Sequence, residues 1–262
     1  MTAMPVDWIR PDWPVHDAVR TVITTRAGGV SATPYGGPGD SGGMNLGYGS
    51  GDTAATVTVN RTRLRGLLPA EPSWLKQVHG ARVADAADVT GSVEADAAIV
   101  NRPGAVAVVL MADCMPVLLA DEHGRCVGVA HAGWRGLAAG VIQATVRAMR
   151  ERMGDSAARL LAYLGPAIGP DHFEVGRDVL DAMTARLDGA ASAFVDQGEG
   201  KYRADLFALG RLALAQERVD AVYGGGICTS CDVGRFYSHR RDHVTGRHAA
   251  LIWLDGGGAA RP

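Results

Sequence analysis

AVAVVLMADCMPVLLADEHGRCVGVAHAGWRGLAAGVIQATVRAMRERM, residues 105–153, is the stretch on which the fold turns. An apolar run at 105–112 crosses Asp113 and Pro116 into a second run at 117–120, and a turn bearing Gly124 leads to a third at 125–130. Short Val-rich runs bounded by Gly, Pro and Asp read as strands. From Leu137 the period changes. Leu137, Val141, Ala144, Ala148 and Met149 fall on one helical stripe, with Arg147, Arg150, Glu151 and Arg152 facing away. Strands giving way to an amphipathic helix predict helices laid against a sheet-rich core.

Outward from this centre the pattern continues. Residues 18–25 alternate β-branched and small polar side chains and stop at Gly28-Gly29, a strand and its turn. From 28 to 52 the composition is that of a long loop, kept for function or left mobile. Residues 53–68 predict a surface helix capped by Asp52 or Thr53, with Val57, Arg61, Leu64 and Leu68 at helical spacing. Strands are expected at 74–79, 96–101, 160–164, 221–228 and 249–254, and helices at 177–187 and 205–218. No repeat or linker interrupts residues 1–262, so the expectation is one α/β domain mixing both elements.

Composition narrows the function. Hydrophobic residues make up 47% and charged residues 21%, ordinary for a folded globular chain. Lys and Arg number 26 against 28 Asp and Glu, so no positive excess is available to neutralise a nucleic-acid backbone. The longest apolar run, at 105–112, falls far short of the ~20 residues that span a bilayer. Four cysteines are too few for a disulfide scaffold, and residues 1–8 show no apolar leader core, so a reducing cytoplasm is expected.

Three segments set a metal-ligating side chain at the end of an apolar strand: Lys76-Gln77-Val78-His79-Gly80, Met111-Ala112-Asp113-Cys114-Met115-Pro116 and Val129-Ala130-His131-Ala132-Gly133. Two imidazoles and a thiolate suit Zn²⁺, and three ligands leave a fourth position open for water or substrate. Taken singly, His79 and His131 read equally as hydrogen-bonded turn or core residues, and Cys114 as a small buried hydrophobe. No short spacing unites the three. Cys126, out of phase with His131 along its strand, belongs in the core.

Together these segments resemble the YfiH-like or laccase-domain family, known in bacteria as peptidoglycan editing factor or purine nucleoside phosphorylase. The resemblance covers nearly the whole chain. It begins at Thr24-Thr25-Arg26-Ala27-Gly28-Gly29-Val30-Ser31 and runs through Asn45-Leu46-Gly47, Gly51-Asp52, Asn60-Arg61 and the three ligand segments. It continues in Gly165-Pro166-Ala167-Ile168-Gly169-Pro170, Phe173-Glu174-Val175-Gly176, Cys228-Thr229 and residues 236–247. It implies a layered α/β fold, with mixed sheets inside and helices outside, and one zinc held by His79, Cys114 and His131. The implied activity is phosphorolysis of adenosine, inosine and methylthioadenosine to free base and ribose 1-phosphate, with adenosine deamination on the side. Nucleoside and phosphate are then the partners.

Phosphorolysis needs positive charge for phosphate. The basic candidates are Arg26 beside the Gly28-Gly29 turn, Arg61, Arg135, and the pair Arg240-Arg241; Asn45 joins them through its matched motif. Gly136 is expected to open a helix whose N–H groups receive an anion, and Trp134 to stack on a base or plug the core. Cys114 also fits a nucleophile, and zinc-activated water fits an amidase that edits UDP-muramyl precursors of peptidoglycan. A copper polyphenol oxidase is disfavoured, because none of the eight histidines forms a His-x-His pair. Cys228-Thr229-Ser230-Cys231 with His239 and His243 suggests a second zinc box, although the gap from Cys231 to His239 is short for one. His239 stands where the family has Tyr, which leaves its role open.

Overall fold

Alternation along one strand sets the layers. In the computed structural model, which describes residues 7–37, 39 and 41–256, all seven residues of strand Met115–Asp121 are buried. Met115, Val117 and Leu119 face helices, while Leu118 and Ala120 face a second sheet. Burial on both sides is why this segment reads as an unbroken apolar run.

Met115–Asp121 lies in a six-stranded sheet with the order Ala221–Gly224, Leu160–Leu164, Met115–Asp121, Val127–Ala132, Ala97–Val100, Val83–Asp85. Its central pairs are antiparallel and its two outer pairs parallel. Against one face lies a four-stranded sheet ordered Val19–Ile23, His248–Leu254, Val106–Met111, Pro72–Ser73. Leu118, Val129 and Tyr163 meet Val109, Met111 and Ile252 between the sheets. Helices Trp134–Ala139, Val141–Met153, Arg177–Arg186 and Leu206–Gln216 cover the other face of the larger sheet through Leu137, Ile142, Val146, Met183 and Leu209. Helix Ala54–Arg65 covers the smaller sheet, where Leu64 joins Met44 and Leu46 on Val22, Val108 and Trp253. The architecture is the layered α/β arrangement expected, and no helix among the described residues is long and apolar enough to cross a membrane.

Local departures have identifiable causes. The helix expected through residue 149 is two helices, because Gly140 adopts φ 85° and a side chain there would collide with the Arg186 guanidinium. The second helix buries Ile142, Val146 and Met149, leaving Ala144 and Ala148 half-buried; Arg150 does not face away but donates to the Glu217 carbonyl at 2.9 Å. The strand expected at 74–79 shrinks to Leu75–Lys76, since Gln77 turns its amide onto the main chain of Leu110, donating at 2.8 Å and accepting at 2.7 Å. The 125–130 strand runs instead Val127–Ala132, placing His131 within it, and the 221–228 strand stops at Gly224, where three glycines in a row take positive φ.

Thr53 caps the first long helix, its hydroxyl accepting from the Thr56 N–H at 3.2 Å. The stretch expected as pure loop holds strand Ala27–Ser31 and is pinned by buried Asn60, whose amide donates to Ser31, Gly43 and Asn45. Residues 38 and 40 of that stretch, residues 1–6 of the N-terminal reading, and residues 257–262 lie outside the described residues.

His248 opens its strand fully buried, stacked 5.4 Å from the Tyr237 ring, with no hydrogen-bond partner for either nitrogen among the described residues. Burial first, then the charges of Arg247, Arg26 and Arg241, push its pKa from 6.5 down to about 3. The folded value lies below the unfolded one, so the neutral ring contributes stability above pH 6.5 that is lost as pH falls toward 3. Replacing it by Phe should remove this loss. Urea denaturation at about pH 7 and about pH 4.5 should show wild type losing up to about 3 kcal/mol more than His248→Phe between the two.

Candidate functional site

Three strand ends and turns converge at one end of the sheet pair. His131 is buried at the end of Val127–Ala132. Cys114 immediately precedes Met115–Asp121, following Asp113, which is held at φ 88°. Asp113 keeps that strained turn through its side chain, accepting from the Thr229 hydroxyl and the Arg240 N–H, each at 2.7 Å. His79, exposed and itself at φ 61°, follows the short strand Leu75–Lys76.

Asp96, buried just ahead of Ala97–Val100, organises two of the three. Its carboxylate accepts the main-chain N–H groups of Val78, His79 and Gly80 at 3.1, 2.9 and 2.7 Å. The same carboxylate accepts from His131 Nδ1 at 3.0 Å. Since a carboxylate only accepts, a proton sits on Nδ1, and the bond turns Nε2 toward another partner. Burial would raise the Asp96 carboxyl, but the bonds from His131, Gly80 and Val78 outweigh it and hold it below the ordinary value.

The donor atoms of His79, Cys114 and His131 lie within 4.8 Å of one another, with Cys114 Sγ 4.0 Å from His79 Nε2. Burial by itself would raise the Cys114 thiol; the charge and hydrogen bond of His131, then those of His79, bring it down to about 6. Burial would likewise lower His131, but Cys114 and Asp96 raise it to about 9. Sulfur and imidazole thus hold each other as thiolate and imidazolium. Gly133 permits the approach, for a Cβ there would sit 2.6 Å from Cys114 Sγ.

This donor set fits a metal ion. A thiolate and two imidazoles are the ligands a borderline divalent ion selects, and a histidine anchored through its other nitrogen to a carboxylate is oriented for coordination. Separations of at most 4.8 Å leave a point within about 2.8 Å of all three atoms, so inward shifts of roughly half an ångström reach Zn–N and Zn–S bond lengths.

The triad forms the floor of a cleft of about 820 Å³, whose walls carry Arg61, Arg135, Arg247, Lys76, Tyr48, Trp74 and His239. Arg61 donates to the Leu46 carbonyl at 2.9 Å and lies 3.7 Å from the Trp74 ring centre and 4.3 Å from that of Tyr48. Burial lowers its pKa to about 10, so it stays charged at neutral pH. Arg135 is exposed, over the ring of Trp134.

The remaining sequence candidates stand outside the cleft lining. Arg26 is spent on the carbonyls of Gly36 and Val233, Arg240 donates to Glu174, and Arg241 is held by Thr229, Ser230 and Asp242. Asn45 is buried, its side-chain Oδ1 accepting the N–H groups of Gly47 and Arg247, so it shapes the cleft wall without lining it. Gly136 lies inside Trp134–Ala139 and Trp134 packs on the core. Cys126 is core, its thiol pushed up to about 12 by burial. Cys228 and Cys231 approach His172 instead of His239, whose Nδ1 donates to the His243 carbonyl at 2.9 Å. Sequence reasoning missed Asp96 and Arg247. Arg247 lies within the matched 236–247 segment, whereas a single acid ahead of an apolar run carries no distinguishing signal.

Residues 20–255 match a family described as multi-copper polyphenol oxidoreductase laccase. The chain is 47% identical over 248 residues to a purine nucleoside phosphorylase of Pseudomonas aeruginosa, spanning 94% of this chain and 98% of that protein. It is 45% identical to purine nucleoside phosphorylase YfiH of Escherichia coli, with the same coverage of each. A Neisseria meningitidis crystal structure superposes with a TM-score of 0.86 at 45% identity, covering 95% of this chain and all of that one. YlmD of Geobacillus stearothermophilus superposes with a TM-score of 0.85 at 29% identity, covering 97% and 98%.

Asp96→Asn retains size while removing the charge that orients His131. It should weaken Zn²⁺ binding about 10–100-fold in a chelator competition while circular dichroism stays unchanged; unaltered affinity would show that Asp96 orients no ligand.

Proposed function

The chain belongs to the multi-copper polyphenol oxidoreductase laccase family, and from that premise we propose that it is a purine nucleoside phosphorylase using one zinc at His79, Cys114 and His131. The convergence of these donors on the floor of an arginine-lined cleft carries the reading. Relatives named purine nucleoside phosphorylase, up to 47% identical, support it. The family's description does not extend to this donor set: one thiolate and two imidazoles, in a chain with no His-x-His pair, do not make a multicopper oxidase.

Zinc bound at the triad would act as a Lewis acid on a phosphate or water oxygen. The chain's own residues supply the rest. Arg61, stacked and anchored at one N–H, presents its remaining N–H groups to phosphate, and Arg135 and Arg247 add positive charge around the cleft. Tyr48 and Leu75 offer apolar surface to the purine. A phosphate oxygen bonds to C1′ as the bond from C1′ to the base nitrogen breaks; the base leaves with that electron pair and takes up a proton. Asp96 and Asp113 act at one remove, holding His79, His131 and the Cys114 turn in position. The same pocket accommodates adenosine deamination when water replaces phosphate, the side activity we attach to this reading.

Purified protein incubated with adenosine and phosphate should yield adenine and ribose 1-phosphate on chromatography, at a rate that depends on phosphate. Inosine formed without phosphate identifies the deaminase arm. Unreacted nucleosides, with cleavage of UDP-muramyl peptide amides instead, overturn the phosphorylase in favour of an editing amidase. Cys114→Ala should lose the zinc of the cleft, one ion per chain, together with activity, and an inactive variant that binds as much zinc as the native chain would refute ligation by this sulfur. Arg61→Lys, which surrenders the planar fork, should raise the phosphate KM about tenfold with a smaller change in kcat.

A further inference from the structure

A second group of thiophilic donors lies outside the cleft. Cys228 and Cys231 come from the turn that follows the glycine run 224–226, and His172 from the separate turn after Pro170. Their donor atoms, like those of the triad, all fall within 4.8 Å of one another. His172 and Cys231 are exposed and Cys228 half-buried, so these side chains are not core packing. They line a separate cavity of about 550 Å³ that also carries Asp171, Asp205 and Arg211.

Two features prepare Cys228 to be a ligand. Its sulfur accepts main-chain N–H groups from Gly169 at 3.2 Å and Cys231 at 3.4 Å, which fix its position. Gly169 lets the sulfur come close, since a Cβ there would meet both Cβ and Sγ of Cys228 at 3.1 Å. The two turns are already joined by main-chain bonds, Ala167 donating to Ile227 at 3.1 Å and accepting from Thr229 at 2.9 Å. They form a preassembled cradle.

We propose that His172, Cys228 and Cys231 form a second metal site, which takes a thiophilic divalent ion such as Zn²⁺ and leaves its fourth coordination position toward the 550 Å³ cavity. The Cys-x-x-Cys spacing places two sulfurs on one turn, and the third donor arrives from 56 residues earlier in the chain than Cys228. An ion here clamps the two turns together. Thr229, between the two cysteines, carries that constraint to Asp113 and so to the turn that presents Cys114.

Zn²⁺ alone is the probe, with metal counted per chain after loading and dialysis. Cys114→Ala, which lacks the first site's sulfur, should retain one ion. Adding Cys228→Ser and Cys231→Ser should abolish it. Adding His172→Ala instead, a change to an exposed side chain, should weaken the ion at least tenfold in chelator competition while circular dichroism stays unchanged. No ion in Cys114→Ala, or an ion that survives both cysteine substitutions, overturns the proposal. Cys228→Ser/Cys231→Ser in the otherwise native chain counts the first site separately. An absent ion there would remove the zinc reading of the cleft and leave this one standing.

Discussion

One carboxylate holds the centre of the molecule together. Asp96 receives three consecutive main-chain N–H groups from the His79 turn and the Nδ1 proton of His131, so a single buried anion sets the path of the backbone at His79 and the orientation of the His131 ring. Burial of a carboxylate is costly unless its lone pairs are met, and here they are met by groups that need orienting. The arrangement stabilises the anion and the site at once.

The layers explain why the site lies where it does. Two sheets face each other across a continuous apolar core, and the central strands of the larger sheet are buried along their whole length. Chemistry is left to strand ends and turns. Backbone strain gathers there as well: His79 and Asp113 both take positive φ, and each is stabilised by hydrogen bonds to a buried acid or from a neighbouring hydroxyl and main chain. The turns can present a thiolate and imidazoles because a rigid double sheet fixes where they start.

Positive charge is arranged around this floor by different means. Arg61 is partly desolvated between two aromatic rings, while Arg135 stays in solvent. Arg26, Arg240 and Arg241 serve instead as cross-links, their guanidinium groups donating to main-chain carbonyls. Arg240 contributes to the site through its main-chain N–H on Asp113. The Thr229 hydroxyl on that same carboxylate links the Cys114 turn to the pair of cysteines behind it.

Periodicity alone determined the long strands of the double sheet and most of the helices that cover it, because short apolar runs and helical stripes report local backbone preference and burial. It placed Val106–Met111, Met115–Asp121 and Leu160–Leu164 within a residue or two, and it missed short strands such as Val83–Asp85 and Lys201–Ala204, which bury too little to leave a pattern. His79, Cys114 and His131 were legible as residue types at strand ends and through resemblance. Their separation was not. Whether three side chains 17 to 52 residues apart share a point depends on sheet order and turn geometry. So does which arginine reaches the cleft and which histidine meets Cys228. Those are distances between elements, and only the tertiary structure decides them, because no local preference of the chain encodes a contact across it.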